Sequence, residues 1–181
     1  MLKLLVKKKL DTNQLANVFV NSLFNVSENG FEVVSEMIND DPAFVTSPAI
    51  EKNKFDSFLM IVVVGNLRYL KENFEVAEAA EIRWLIIEKL ARIYQMETRE
   101  FEKIVNDYDS FVSRVNHPSK NTLYGMSKAI FHKLNLNDYQ ESYFKSMKTP
   151  NPLFLKRMDD VMANFLWDWE VFFKKYRLNL N

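Results

Sequence analysis

The chain has 181 residues, of which 48% are hydrophobic and 27% charged, and its formal net charge is zero. This length fits one domain that buries roughly 70% of the surface of the unfolded chain, and the composition is that of neither a disordered nor a membrane-spanning protein. The absence of cysteine excludes disulfides, thiolate metal sites and cysteine nucleophiles, and the neutral charge gives no general attraction to nucleic acid or to anionic membranes.

The first eleven residues, MLKLLVKKKLD, are predicted to form an N-terminal arm. Their basic residues follow a very short apolar run, which is the reverse of the order in a secretory signal, so we expect none. The longest unbroken apolar run, Phe58 to Val64, has about a third of the length of a membrane span. We therefore expect a soluble, cytoplasmic protein that binds no membrane.

Few glycines and prolines, together with long stretches of 3.6-residue periodicity, predict an all-α fold: a single-domain bundle of about eight helices over residues 1–181. The predicted helices cover residues 12–27, 31–39, 54–72, 75–96, Thr98 to the stop at His117 and Pro118, 119–134, 138–147 and 152–177. The first is expected to end at Asn29 and Gly30. The run at 58–64 would also suit a buried strand, but its continuation as GNLRYLKENF favours a helix.

A proline-containing loop is predicted over residues 40–53. It is longer than most connections between helices, so it is either functional or anchored in the core through Phe44, Val45 and Ile50. Asp40 and Asp41 at its start are interpreted as residues that end the preceding helix.

The first helix carries an asparagine at every fourth position and no charged residue between Thr12 and Ser27. These side chains are Asn13, Asn17, Asn21 and Asn25. Asparagine is a mediocre helix former, whereas amides are less costly to cover than ions. We therefore predict that protein covers this face, either the same chain or a partner, and the neighbouring Val20 and Phe24 support that prediction. Compositional drift is the alternative, because asparagine is frequent throughout the chain.

Two tryptophans need an explanation. Trp84 belongs to a second apolar stripe on the fourth helix, which predicts a core position, with a subunit seam as the alternative. The final helix, 152–177, presents a long aromatic stripe to the core, and Trp167 lies opposite the centre of that stripe. A tryptophan there is covered locally, by a partner or by a ligand.

Metal sites receive little support from the sequence. A diiron bundle needs two Glu-x-x-His pairs, but Arg114 and Ala129 precede the two histidines, His117 and His132, by three residues. The spacing of Glu78 with Glu81, and of Glu97 with Glu100, resembles the Mg²⁺-binding acidic pairs of all-α nucleotide pyrophosphohydrolases, but no Glu-x-x-Asp follows. These carboxylates, like Asp159 and Asp160, are interpreted as solvated.

Other catalytic and binding motifs are also incomplete. The three glycines are too far apart for a phosphate-binding loop. Ser127 lacks the strand of an esterase elbow, Ser142-x-x-Lys145 lacks its companion motifs, and the basic cluster at 174–177 ends an aromatic helix rather than a DNA-reading one. We therefore expect no catalytic residues, metal, cofactor or nucleic-acid partner.

The sequence thus favours a non-catalytic protein-interaction or regulatory module that binds a protein partner or self-associates, for example as a homodimer. The candidate interaction surface consists of Asn13, Asn17, Asn21, Phe24, Asn25 and Trp167. One alternative is a helical bundle that binds a small apolar ligand between the last helix and Tyr139, Tyr143 and Met147. The other is a Mg²⁺-dependent hydrolase that uses Glu78, Glu81, Glu97 and Glu100.

Overall fold

The computed structural model describes residues 7–179 and confirms the all-α class. The helices are α1 (Thr12–Asn39), α2 (Phe55–Arg68), α3 (Leu70–Asn73), α4 (Val76–Ile93), α5 (Thr98–Asn116), α6 (Thr122–Lys133), α7 (Ser142–Met147), α8 (Pro152–Met162) and α9 (Trp169–Lys175). Short 3-10 turns cover Lys52–Lys54, Leu136–Tyr139 and Ala163–Phe165. Among the helices of this part of the chain, none combines the length and apolarity needed to cross a bilayer.

The centre of the bundle is α2, which confirms that the run at 58–64 is helical. Every residue from Phe58 to Leu67 is buried, and the helix packs against α1, α5 and α6. Burial of each large apolar side chain contributes about 1.5–3 kcal/mol relative to exposure. Around this centre, α4 lies against α1 and α5, while α8 lies against α6.

The predicted break after residue 27 is wrong, because α1 continues through Gly30 to Asn39 as one helix of 28 residues. The side of Gly30 faces the ring of Phe165, and a Cβ at this position would lie 2.7 Å from that ring. Gly30 therefore provides room for an aromatic side chain from the C-terminal segment instead of ending the helix. The prediction that the helix ends here interpreted Gly30 as a local helix terminator, whereas its role is in tertiary packing.

The C-terminal region is helical and aromatic as predicted, but α8 and α9 replace the single helix expected over 152–177. Asn66 of α2 explains how the interruption is stabilised. Its side-chain amide donates to the carbonyl oxygens of Val62 and Phe165, at 2.9 and 2.8 Å, and its oxygen accepts a hydrogen bond from the backbone N–H of Trp167 at 2.6 Å. These bonds satisfy backbone groups of the interrupting segment that a continuous helix would have paired internally.

The two ends of the described chain meet in a short parallel pair of strands, β1 (Lys8–Leu10) and β2 (Tyr176–Leu178). Lys8 lies opposite Tyr176 and Leu10 opposite Leu178. Within the predicted arm at 1–11, residues 8–10 therefore form a paired strand. Residues 1–6 of that arm lie outside the described residues.

The loop at 40–53 is anchored through Phe44 and Ile50, which are buried, but not through Val45, which is 72% exposed. The helix before it ends at Asn39, as predicted for Asp40 and Asp41, with Asp40 at its C-cap, but Asp41 has a tertiary role as well. Its buried carboxylate accepts two hydrogen bonds from the guanidinium of Arg157 on α8, at 2.6 and 2.7 Å. This bidentate pair joins the loop to α8, and it raises the pKa of Arg157, chiefly through the hydrogen bond to Asp41.

Candidate functional site

The predicted amide face of α1 is exposed within the chain. Asn13, Asn17, Asn21 and Asn25 are all on the surface, and Asn13 accepts a hydrogen bond from the side chain of Lys89 on α4. The fold itself therefore does not cover this face, and the intrachain part of the prediction is wrong. Cover by a partner stays a prediction.

The amide ridge continues along α1 as a ridge of carboxylates. At about 100° per residue, Asn21 and Asn25 lie on the same side of the helix as Glu28, Glu32 and Glu36. The three glutamates are exposed. The surface of this helix is thus neutral and polar in its first half and acidic in its second half.

The acidic half of the ridge borders a groove of about 630 Å³ between α1 and the residues that lead into α2. Three apolar side chains line the groove, namely Phe31, Ile50 and Phe55. The rings of Phe31 and Phe55 meet edge to face at 5.7 Å between centroids. Of the three, Phe31 and Ile50 are buried and Phe55 is half-buried, so the groove has an apolar floor.

Hydrogen bonds fix one end of the groove. The side-chain oxygen of Asn39 accepts from the backbone N–H of Ile50 at 2.6 Å, and its amide donates to the Ile50 carbonyl at 3.3 Å. This two-way contact fixes the segment at 50–55 against the C-terminal end of α1. The groove therefore exists in the free chain, without a partner to form it.

Four carboxylates line the groove against a single cation, Lys52. They are Glu28, Glu32, Glu36 and Glu51. Within residues 7–179, none of the four forms a salt bridge. Glutamates four apart on a helix are about 6 Å apart along its axis, so they form a row of negative charge rather than a single ligand cage.

Phe24 and Trp167 occupy different positions relative to this groove. Phe24 is half-buried and packs edge to face against Phe55 at 5.9 Å, so it extends the apolar floor toward the amide ridge. Trp167 does not lie on the polar face of a helix, because the helix is interrupted there. It is half-buried, and its ring lies 5.3 Å from Phe19 and 5.8 Å from Phe172. The structure therefore does not bring Trp167 to the groove.

The core position predicted for Trp84 is wrong. Its side chain is 41% exposed on α4, and Val76, Ala77 and Ala80 beside it are exposed as well. Only the C-terminal end of that second stripe is buried, at Ile87 and Ala91. The periodicity identified an apolar face correctly, but the fold leaves its N-terminal half uncovered.

The residues of the alternative hypotheses do not converge. Across the described residues, no three acidic or histidine side chains lie close enough together to hold a metal ion, and Glu78 accepts from the backbone N–H of Glu75 as part of a helix cap. Tyr143 and Met147 are 64% and 55% exposed, whereas Phe154 and Phe172 of the aromatic stripe are buried. Tyr143 and Met147 therefore face solvent rather than a closed apolar pocket.

Sequence reasoning identified the amide half of the α1 ridge but missed its acidic half. A signal was present, since Glu28, Glu32 and Glu36 repeat at the same four-residue interval as the asparagines. The predicted helices, 12–27 and 31–39, left Glu28 outside the helix that carries Glu32 and Glu36, and this break hid the continuity. The apolar floor had no signal, because Ile50 and Phe55 reach α1 only through the tertiary fold.

Comparisons with protein-family models, with curated proteins and with solved structures found no match to this chain.

Proposed function

We propose that this protein is a non-catalytic interaction module whose acidic groove on α1 binds a basic segment of a partner protein. The observation that carries the proposal is the row of carboxylates along a groove with an apolar floor, none of which forms a salt bridge within the described residues 7–179. The partner segment carries lysines or arginines about 6 Å apart, beside one or two apolar side chains.

Both parts of the groove contribute to this specificity. Burial of an apolar anchor on Phe31, Ile50 and Phe55 provides affinity, at about 25 cal/mol for each Å² of apolar surface removed from water. The carboxylates select basic partners and increase the rate of association, which is the usual role of charge complementarity at an interface. A spacing of about 6 Å matches cations at positions i and i+4 of a helix, or at i and i+2 of an extended strand.

The amide ridge extends this surface. Asn21 and Asn25 continue the groove edge as groups that both donate and accept hydrogen bonds. Side chains of this kind suit the polar rim of a protein interface, where contacts are partly hydrated.

Selection from a random-peptide phage library against the full chain tests the chemistry of the partner. We expect enriched peptides to combine two or more Lys or Arg residues with an apolar anchor. Enrichment should fall about tenfold for a Glu28→Gln, Glu32→Gln, Glu36→Gln variant, which removes three charges at nearly constant size.

A matched variant carries Glu72→Gln, Glu81→Gln and Glu100→Gln, which are exposed glutamates outside the groove. This control should retain the enrichment of the unmodified chain. Selected peptides without basic residues, or an equal loss in both triple variants, would contradict the proposal.

A specific observation also favours self-association through α4. Trp84 is exposed beside the small residues Ala77 and Ala80, so in a twofold arrangement the indole of each copy would rest on the alanines of the other. Sedimentation equilibrium should then show a dimer that Trp84→Gln dissociates, and a monomeric unmodified chain at about 100 μM would exclude this homodimer.

A cytoplasmic location suits an interaction module of this kind, because a cysteine-free chain does not depend on an oxidising compartment.

A further inference from the structure

A second cleft, of about 410 Å³, lies between α6 and α8 on residues that the acidic groove does not use. Tyr124, Lys128 and His132 line it from α6, where they are spaced at intervals of four and therefore share one face of that helix. The opposite wall is the start of α8 with the turn before it, which contributes Lys148, Thr149, Pro150, Pro152, Leu155, Lys156 and Asp159.

Three lysines line this cleft from three different elements. Lys128 is on α6, Lys148 is in the turn after α7, and Lys156 is on α8. In the part of the chain that the structure describes, none of the three forms a salt bridge with a carboxylate. The Lys128 ammonium lies 4.8 Å from the centre of the Tyr124 ring, a cation–π contact that leaves its charge uncompensated.

The one carboxylate of the cleft is already occupied. Asp159 accepts a hydrogen bond from the hydroxyl of Ser127, which is fully buried, and this contact turns one carboxylate oxygen toward α6. The interpretation of Asp159 as a simply solvated residue is therefore wrong. Three cations against one engaged carboxylate leave the cleft with net positive charge, although the whole chain is neutral.

The N-terminal end of α8 adds to the positive potential. This helix has 11 residues and begins at Pro152, and the side chain of Asn151 caps it by accepting from the backbone N–H of Leu153. A helix of this length carries about half a positive charge at its N-terminus. The helix end and the three lysines thus act on the same small volume.

We infer that the cleft between α6 and α8 binds a small organic phosphate. Its phosphoryl oxygens would accept charge-assisted hydrogen bonds from Lys128, Lys148 and Lys156. Its apolar body would lie against Pro150, Pro152 and Leu155, which line the same cleft. His132 lines the cleft on the same helix face as Lys128 and would offer the ligand a further hydrogen-bonding group.

This assignment is independent of the acidic groove, so either site can fail without the other. The two sites share no residue and require ligands of opposite charge. The combination would make the protein a binding module with one site for a basic partner and one for a phosphorylated small molecule.

Titration of the full chain with phenyl phosphate, followed by ¹H–¹⁵N NMR, tests the assignment. We expect saturable shifts at residues 124–132 and 148–159, weaker binding of inorganic phosphate, and no binding of phenol at the same concentration. Each of Lys128→Gln, Lys148→Gln and Lys156→Gln should raise the dissociation constant about tenfold, as expected when a hydrogen bond to a charged group is lost.

Lys103→Gln is the matched control, because it removes an exposed lysine from α5, away from the cleft. It should bind phenyl phosphate like the unmodified chain. The assignment is overturned if phenyl phosphate causes no saturable shifts, if it causes shifts elsewhere on the chain, or if the cleft variants and Lys103→Gln bind equally well. Binding of an acidic peptide in preference to phenyl phosphate would also overturn it.

Discussion

Asn66 joins the C-terminal segment to α2 by side-chain hydrogen bonds. It is buried, and its side chain satisfies the carbonyl of Phe165 and the N–H of Trp167 across 99 and 101 residues of sequence. Asn66→Ala would leave both backbone groups without partners, so we expect a loss of about 3 kcal/mol in the free energy of unfolding.

Urea unfolding measures this loss as a lower midpoint with an unchanged slope. Asn164→Ala is the control, because that side chain is exposed and bonds only to nearby carbonyls. Its effect should stay within about 0.5 kcal/mol. Equal stability of the two variants would show that the interruption does not depend on Asn66.

His132 predicts a specific pH dependence of stability. Burial, together with the charge of Lys128, lowers the pKa of its imidazole below the ordinary value of 6.5. As the pH falls below that value, the unfolded chain takes up a proton that the folded chain does not, so the free energy of unfolding decreases. The stability that depends on a neutral His132 is fully present above the pKa that His132 has in the unfolded chain. It is lost as the pH falls toward the lower pKa that His132 has in the folded chain.

The pH dependence is checked by urea unfolding at pH 7.5 and 5.5. The unmodified chain should lose more stability between these values than His132→Gln, which has no imidazole at this position. If both lose the same amount, the environment of His132 does not disfavour its protonated form.

At the scale of the elements, the close crossing of α2 and α6 depends on Gly65. A Cβ at this position would overlap the sulfur of Met126, which is fully buried. Gly65→Ala should therefore destabilise the fold by about 1–3 kcal/mol through overpacking. Thermal or urea unfolding of Met126→Ala and of the double variant completes a double-mutant cycle. The cost of Gly65→Ala should disappear in the Met126→Ala background, and an undiminished cost would place the strain elsewhere.

The elements also show how far sequence patterns determine this fold. Periodicity located the helices, including the buried α2, because each needs an apolar face whatever its neighbours are. It failed at Gly30 and near Trp167, where Phe165 and Asn66 from distant parts of the chain decide whether the helix continues. It also failed to say which apolar face is covered, as Trp84 shows, since that depends on which helices become neighbours.

The candidate site could likewise be predicted only where it depends on one helix alone. The amide ridge could be predicted because a regular spacing on one helix is a local property. The groove beside it could not be predicted, since Ile50 lies in a long loop and Phe55 follows that loop. The path of the loop is fixed by tertiary contacts of Asn39 and of the Asp41–Arg157 pair.

At the scale of the whole molecule, the chain has no net charge, but it carries an acidic groove on α1 and a separate basic cleft between α6 and α8. This separation of charge predicts the effect of adding charge to the amide ridge. Asn25→Lys places a cation beside the groove, so it should weaken binding of a selected basic peptide severalfold by repulsion. Stability should change by no more than about 0.5 kcal/mol, because Asn25 is exposed.

Fluorescence anisotropy of a labelled peptide measures that change in affinity. Asn17→Lys serves as the control, because Asn17 is exposed and lies farther from the groove, about 12 Å along the helix axis from residue 25. Equal affinities for both variants would show that the ridge near residue 25 does not contact the partner.

The central claim, that the acidic face of α1 is the binding surface, is tested most directly by mapping a selected basic peptide on the chain by ¹H–¹⁵N NMR. We predict that the largest shift changes lie at residues 21–39 of α1 and at 50–55 across the groove. Shift changes concentrated instead on the exposed stripe of α4 around Trp84, or in the cleft between α6 and α8, would contradict the claim.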